Sequence, residues 1–358
     1  MAIEFSDKIR RLPVYPTAGG YALDGFAMLA SNEAPFGPMP GVVEAATEAV
    51  VHANRYPDPS NLRLRRALAA RYDFDPSRIA IGAGSCDILL SAAEALLEPG
   101  AEVVYSWPSF SVYPQMAAAA GARAIVVPLD DEQRHDLDAM LAEITAATRL
   151  VLVCNPNNPT GTALPLERIT EFVTRVPKHV CVIVDEAYCE FSTLEDPDAS
   201  IDLARRFPNV VLLRTFSKVY GLAGLRVGYA LCGDQRFRVA VEQVRQPFFC
   251  NAVGQAAAEA ALLRQDELTR RIEETIANRL ELEEGLRELG LEVAESHANF
   301  IWHSLGDGDE QEILEGLRER RVLIRSGRAL GREGWARTTI GTATDNRRFL
   351  DALGELLG

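Results

Sequence analysis

The sequence contains no uninterrupted apolar run long enough to cross a bilayer. Its first eleven residues, Met1 to Arg11, carry charges and no apolar core, so they do not read as a signal peptide. Six cysteines are present (Cys86, Cys154, Cys181, Cys189, Cys232 and Cys250), but none stand in C-x-x-C spacing. Most lie in apolar strand-like runs, where a thiol behaves as a small hydrophobe. A reducing, cytoplasmic setting is expected, and no metal. Positive charge is in deficit: 37 Lys and Arg stand against 51 Asp and Glu, a formal net charge of −14. That argues against a nucleic-acid backbone or an anionic membrane surface as partner. It leaves room for a small anionic ligand held by a few local arginines. Internal repeats and low-complexity segments are missing. The glycine turn Gly82-Ala-Gly-Ser-Cys-Asp87 lacks the third glycine of a dinucleotide fingerprint and the Gly-Lys-Ser/Thr of a P-loop.

What is present is an ordinary globular balance, 47% hydrophobic and 25% charged over 358 residues, enough for a sizeable core in two domains or in one large domain with an appendage. From residue 79 short apolar strands alternate with helices. Leu150-Val-Leu-Val-Cys154, Val180-Cys-Val-Ile-Val184 and Val210-Val-Leu-Leu213 are apolar throughout, so both their faces are covered. Such a pattern predicts a largely parallel sheet with helices on both faces. The expected division is an N-terminal arm over 1–30, a large domain over 31–250, and a linking helix with a smaller α+β domain over 251–358. Asn61 is expected to cap a helix through Ala70 and Pro165 to start one through Arg175. A long helical pattern runs from residue 251 to about 289, and a strand is expected at 298–302.

In a parallel sheet, ligands bind at the carboxyl ends of the strands. Residues 84–86, Phe110, Asn158, Asp185 and Lys218 all fall just past strand ends and are candidates to share one crevice. Lys218 follows a buried strand and neighbours Thr215 and Ser217. A lysine so placed loses solvation, its pKa falls, and its free amine can form an imine. The glycine turn at 82–87 opens a helix, whose N-terminus offers backbone N–H groups and a positive dipole end to an anion.

These stretches also carry a resemblance. Asn32-Glu33…Pro35, Arg55-Tyr-Pro-Asp58, Asn155-Pro-Asn-Asn-Pro-Thr-Gly161, Asp185-Glu-Ala-Tyr188, Thr215-Phe-Ser-Lys218, Arg226-Val-Gly-Tyr229 and Arg337-Thr-Thr-Ile-Gly341 occur in order along nearly the whole chain. The chain resembles fold-type I pyridoxal-phosphate (PLP) aminotransferases. Within them it is similar to the histidinol-phosphate aminotransferases and the related aromatic or phenylalanine enzymes. The resemblance implies the α/β PLP-transferase fold, a mostly parallel seven-stranded sheet in a large domain, a smaller α+β domain, and pyridoxal 5′-phosphate as cofactor. It implies that Lys218 binds the cofactor as an imine and moves the substrate proton, and that Asp185 pairs with the pyridine nitrogen. Tyr188 and Asn158 would reach the phenolic oxygen, and Phe110 would stack on the ring. Gly84, Ser85, Cys86, Ser217 and Arg226 would hold the phosphate. Tyr56 would reach the neighbouring subunit's cofactor, which makes the protein a homodimer with a shared active site. Arg337 would clamp the substrate α-carboxylate. Arg325, Tyr15, Asn32 and Asn158 would complete substrate binding. Two departures stand out: Ala34 replaces the family's second Asn of Asn-Glu-Asn-Pro, and Cys86 replaces an acidic residue. Histidinol phosphate with 2-oxoglutarate is the first expectation for substrate, in histidine biosynthesis. Aromatic amino acids are the alternative, and a PLP decarboxylase of an amino-acid phosphate a further one.

Overall fold

The computed structural model describes residues 3–5 and 23–358, and twelve strands are found there. In chain order they are β1 (Ala27–Met28), β2 (Ile79–Gly82), β3 (Glu102–Trp107), β4 (Arg123–Pro128), β5 (Thr148–Cys154) and β6 (Cys181–Asp185). Then come β7 (Val210–Thr215), β8 (Gly228–Cys232), β9 (Phe300–Ser304), β10 (Val322–Leu323), β11 (Arg325–Ser326) and β12 (Trp335–Thr339). Seven of them form one sheet in the order β2-β8-β7-β6-β5-β3-β4. The pairings β4–β3, β3–β5, β5–β6 and β6–β7 are parallel, whereas β8 runs antiparallel to both β7 and β2. The fold is therefore α/β with a mostly parallel sheet, as the apolar runs predict.

Strand pleating sends alternate side chains to opposite faces. Val151, Val153, Val182, Val184 and Leu212 enter one core layer, and Leu150, Leu152, Ile183, Val211 and Leu213 enter the other. Each is essentially removed from water, contributing about 1.5–3 kcal/mol. The helix Leu166–Arg175 covers one face with Ile169, Phe172 and Val173, and Ser85–Leu96 covers the other with Ile88, Leu89 and Ala92.

The topology also aligns chain ends. β2, β3, β5, β6 and β7 share one direction, so all five finish at one sheet edge. The reversed β8 begins at that same edge, with Gly228 opposite both Gly82 and Thr215. Beyond the sheet, β11-β12-β9 form an antiparallel three-stranded sheet, and β1 pairs in parallel with β10. Among the described residues no helix is long and apolar enough to cross a membrane.

Four local expectations need correcting. Asn61 precedes the helix Leu62–Tyr72 in a left-handed conformation but makes no side-chain cap. The Asp58 carboxylate takes the Leu62 N–H at 2.9 Å instead. Pro165 lies just outside its helix. The long helical pattern breaks into Ala252–Leu262 and Gln265–Glu288, because the Gln265 side chain donates to the Leu262 carbonyl at 2.9 Å and satisfies that helix end. Finally, β9 starts two residues late. The Ser296 hydroxyl, donating to Phe300 O at 2.6 Å and accepting from Ala298 N–H at 3.2 Å, holds residues 296–300 as a turn.

Candidate active site

The sheet edge gathers the polar residues that follow each apolar strand. Lys218 lies three residues past β7, half-buried, with Nζ donating to the carbonyls of Ser31 at 3.3 Å and Asn32 at 3.1 Å. Burial, with the nearby charge of Arg337, pushes its pKa down to about 8. Near neutrality roughly one such amine in ten is uncharged, several hundred-fold more than for an ordinary lysine.

Asp185 closes β6 and is also buried. Its Oδ2 accepts the Tyr113 hydroxyl at 3.0 Å, and its Oδ1 accepts the Ala187 N–H at 3.3 Å. Burial lifts its pKa to about 6, against the lowering effect of the Tyr113 hydrogen bond. The Tyr188 phenol accepts N–H groups from Asn32 at 3.1 Å and Asn158 at 3.5 Å. Lys218 Nζ sits 5.5 Å from the centre of the Tyr188 ring. Asn158 in turn accepts Arg337 Nη1 at 2.6 Å, while Arg337 Nη2 donates to Ala30 O at 2.7 Å. Asn32 adopts a left-handed φ of 55° and is held there by Thr339, which takes its N–H at 2.8 Å and donates to its Oδ1 at 3.1 Å.

The other end is built for an anion. The helix Ser85–Leu96 starts at this edge, and its first N–H groups lack intrahelical acceptors. Gly84 has φ 82°, and a Cβ there would stand 2.2 Å from Arg226 Nη2. A Cβ on Gly228 would stand 2.3 Å from the Ser85 nitrogen. Both positions need glycine so that the helix end and the guanidinium can close on one point. Arg226 Nη1 donates to Ala223 O at 2.9 Å and reaches Ser217 Oγ at 3.4 Å, and Ser217 Oγ receives the Thr215 hydroxyl at 2.9 Å.

Between the two ends lies a cavity of about 220 Å3. Lys218, Asp185, Asn158 and Tyr188 line one part of it, Ser85, Cys86, Ser217 and Arg226 the other, and Phe110 also lines it. Nine sequence-predicted residues thus meet around one space. Gly84 lies against Arg226, and Asn32 and Arg337 reach the group through Tyr188 and Asn158. Arg325 does not line this cavity. It lines another, of about 390 Å3, with Glu310 and Arg318, although strand register sets it opposite Arg337. Tyr56 stands on the surface, 81% exposed and stacked on Phe248 at 4.4 Å. Tyr15 lies outside the described residues. Among the described residues no cluster of His, Cys, Asp and Glu is arranged to hold a metal ion.

Two features of the site are absent from the sequence expectations. One is Tyr113 itself. The other is Arg214, 1% exposed, which donates to Glu186 Oε2 at 2.8 Å and Asp198 Oδ1 at 2.9 Å and so ties β7 to the segment after Asp185. Its sequence signal is an arginine ending an apolar strand, which burial tolerates only with acidic partners.

Residues 25–353 match the family model of aminotransferase class I and II. The chain belongs to that family. An aromatic amino acid aminotransferase of Rhodococcus erythropolis is 44% identical over 350 residues, 98% of this chain and 95% of the relative. One of Thermobifida fusca is 44% identical over 326 residues, covering 90% and 88%. Among solved structures, histidinol-phosphate aminotransferase from Sinorhizobium meliloti, in complex with pyridoxal-5′-phosphate, has a TM-score of 0.89 at 31% identity, covering 100% of this chain and 98% of that one. This aminotransferase is therefore a PLP enzyme of fold type I. The cavity fits the cofactor's chemistry: a half-buried amine of lowered pKa, a buried carboxylate, and an anion cup that excludes a Cβ at positions 84 and 228.

Proposed function

We propose that this aminotransferase exchanges an amino group between an aromatic amino acid and a 2-oxo acid such as 2-oxoglutarate. The observation that carries this reading is the 44% identity, over nearly the full chain, to relatives named for aromatic amino acids. Histidinol phosphate, the first expectation from sequence, moves to second place. It retains the support of the Sinorhizobium meliloti structure. Turnover of phenylalanine and of histidinol phosphate, each with 2-oxoglutarate, is the direct test. Phenylalanine is expected to lead in kcat/KM by about tenfold or more, the scale of one well-made pocket contact. A lead for histidinol phosphate would reverse the assignment.

In this proposal Ser85, Cys86, Ser217 and Arg226 bind the cofactor phosphate, and Asp185 faces the ring nitrogen. Tyr188 and Asn158 hydrogen-bond the phenolic oxygen, and Phe110 packs on the ring. Bound PLP supplies a conjugated ring that draws electrons from the substrate Cα. Arg337 orients the substrate by a two-pronged grip on its α-carboxylate. Lys218 Nζ, uncharged in a useful fraction at neutral pH, takes the proton from Cα. Asn32 holds Tyr188 in place through its 3.1 Å hydrogen bond.

The working unit is proposed to be a homodimer in which Tyr56 reaches the neighbouring site. Support comes from the exposed Tyr56–Phe248 stack, with Val50 and Val51 also exposed. Sedimentation equilibrium is expected to give twice the mass of one chain, and a monomer would refute the shared site. A cytoplasmic, reducing location suits six cysteines that form no disulfide.

A further inference from the structure

We infer that Tyr113 is a positioning residue for the ring-nitrogen end of the site: its hydroxyl fixes the Asp185 carboxylate and keeps it the weaker base, so that a proton shared with a bound pyridine stays on the ring nitrogen. The inference rests on the proposed pairing of Asp185 with that nitrogen. Tyr113 lies in the first turn of the helix Val112–Ala120 and is fully buried. Its O–H to Oδ2 distance is 3.0 Å. A hydrogen bond to a buried carboxylate is charge-assisted, and it favours the ionised form. Burial alone drives Asp185 toward the protonated state, and a protonated Asp185 has nothing to offer a pyridinium. Glu186 disfavours the Asp185 charge and Lys218 favours it, while the buried Cys154 thiol adjoins both Asp185 and Tyr113. The tyrosine hydroxyl is the strongest of the lowering influences on Asp185.

The ring is placed as firmly as its hydroxyl. Tyr113 meets Phe110 edge-on, with centroids 5.7 Å apart at 85°, and Tyr105 at 5.9 Å and 61°. One side chain thus braces both the residue proposed to pack on the cofactor face and the carboxylate proposed to meet its nitrogen. The two duties separate cleanly. Tyr113→Phe keeps every carbon of the wedge and removes only the donor.

The test uses holoenzyme reconstituted with PLP carrying 15N in the ring, and with the analogue whose ring nitrogen is replaced by C–H. With PLP, Tyr113→Phe is expected to lower kcat by about tenfold, the effect of losing one charge-assisted hydrogen bond. The ring 15N resonance should move toward that of unprotonated pyridine. With the C–H analogue, variant and parent should turn over alike. Placing 3-fluorotyrosine at 113, a stronger donor of nearly the same size, should shift the resonance in the opposite direction. An unmoved resonance in both variants, or the same loss with the C–H analogue, would reduce Tyr113 to packing and overturn the inference. Failure of the underlying pairing looks different: Asp185→Asn would then also leave the 15N resonance where it was.

Discussion

Lys218→Ala is expected to reduce turnover by about a thousandfold or more while the protein still folds and binds PLP without a covalent link. Removal of a positioned proton-transfer group alone costs about 10^2- to 10^4-fold, and here the same amine is the proposed covalent anchor. Among the described residues no other lysine lines the cavity to stand in for it. The phosphate cup and Asp185 are untouched by the change, so non-covalent binding should persist, visible as cofactor absorbance that dialysis removes. The pH behaviour of the parent gives an independent check. Because the Lys218 pKa is pushed down to about 8, the rate at which apoprotein captures PLP should climb with pH and level off near that value. A climb continuing to pH 10 would mean that the capturing amine is an ordinary exposed lysine. Undiminished turnover in the alanine variant would remove Lys218 from the mechanism.

Asp185→Asn has the second largest expected effect, a loss of about 10^2-fold or more in kcat, with stability moving the other way. The amide is isosteric and still accepts the Tyr113 hydroxyl, but it cannot hold a ring nitrogen protonated. Its effect on the apoprotein follows from linkage. In the folded chain Asp185 titrates at about 6, above the usual carboxylate value of 3.8. The native state therefore binds more protons between these values, and the parent loses stability as pH rises through 4 to 6. Above pH 6 the penalty is complete, on the order of 3 kcal/mol at one pKa unit per 1.36 kcal/mol. The asparagine variant carries no such charge. At pH 7 to 8 its apoprotein should melt several degrees higher than the parent, and below pH 4 the two should converge. Thermal melts across that range read the prediction directly. A variant that is less stable at pH 8 would show that the carboxylate is held for the fold and not for the chemistry.

Much of this was legible in the residues because one physical rule wrote it. Strands covered on both faces must be apolar, so the polar residues that follow them stand out, and Lys218, Asp185 and Asn158 are among them. The alternation of strands and helices followed from the same runs. Strand direction did not. Nothing in Gly228-Tyr-Ala-Leu-Cys232 distinguishes a parallel from an antiparallel strand, since either is buried alike. Pairings between distant positions were equally silent: Tyr113 and Asp185 are 72 positions apart. The charge on Arg214 is visible in sequence, but Glu186 and Asp198 become its partners only once β6 and β7 lie side by side. The break near residue 263 was hidden because a glutamine side chain makes it, where a glycine or proline would have announced it. Arg325 was expected at the substrate, yet the space it faces is decided by how the helix Glu310–Glu319 packs nearby.

The contact between Gly228 and the start of the helix at Ser85 has a consequence for anyone reshaping this enzyme. The anion cup owes part of its outline to a strand residue, Gly228, that does not itself line the cavity. A library that varies residues 84–86 while freezing the reversed strand explores only shapes compatible with a bare backbone at 228. Changing the coenzyme's anionic handle, or enlarging the recess that would receive it, therefore demands that Gly84 and Gly228 be varied together with Arg226.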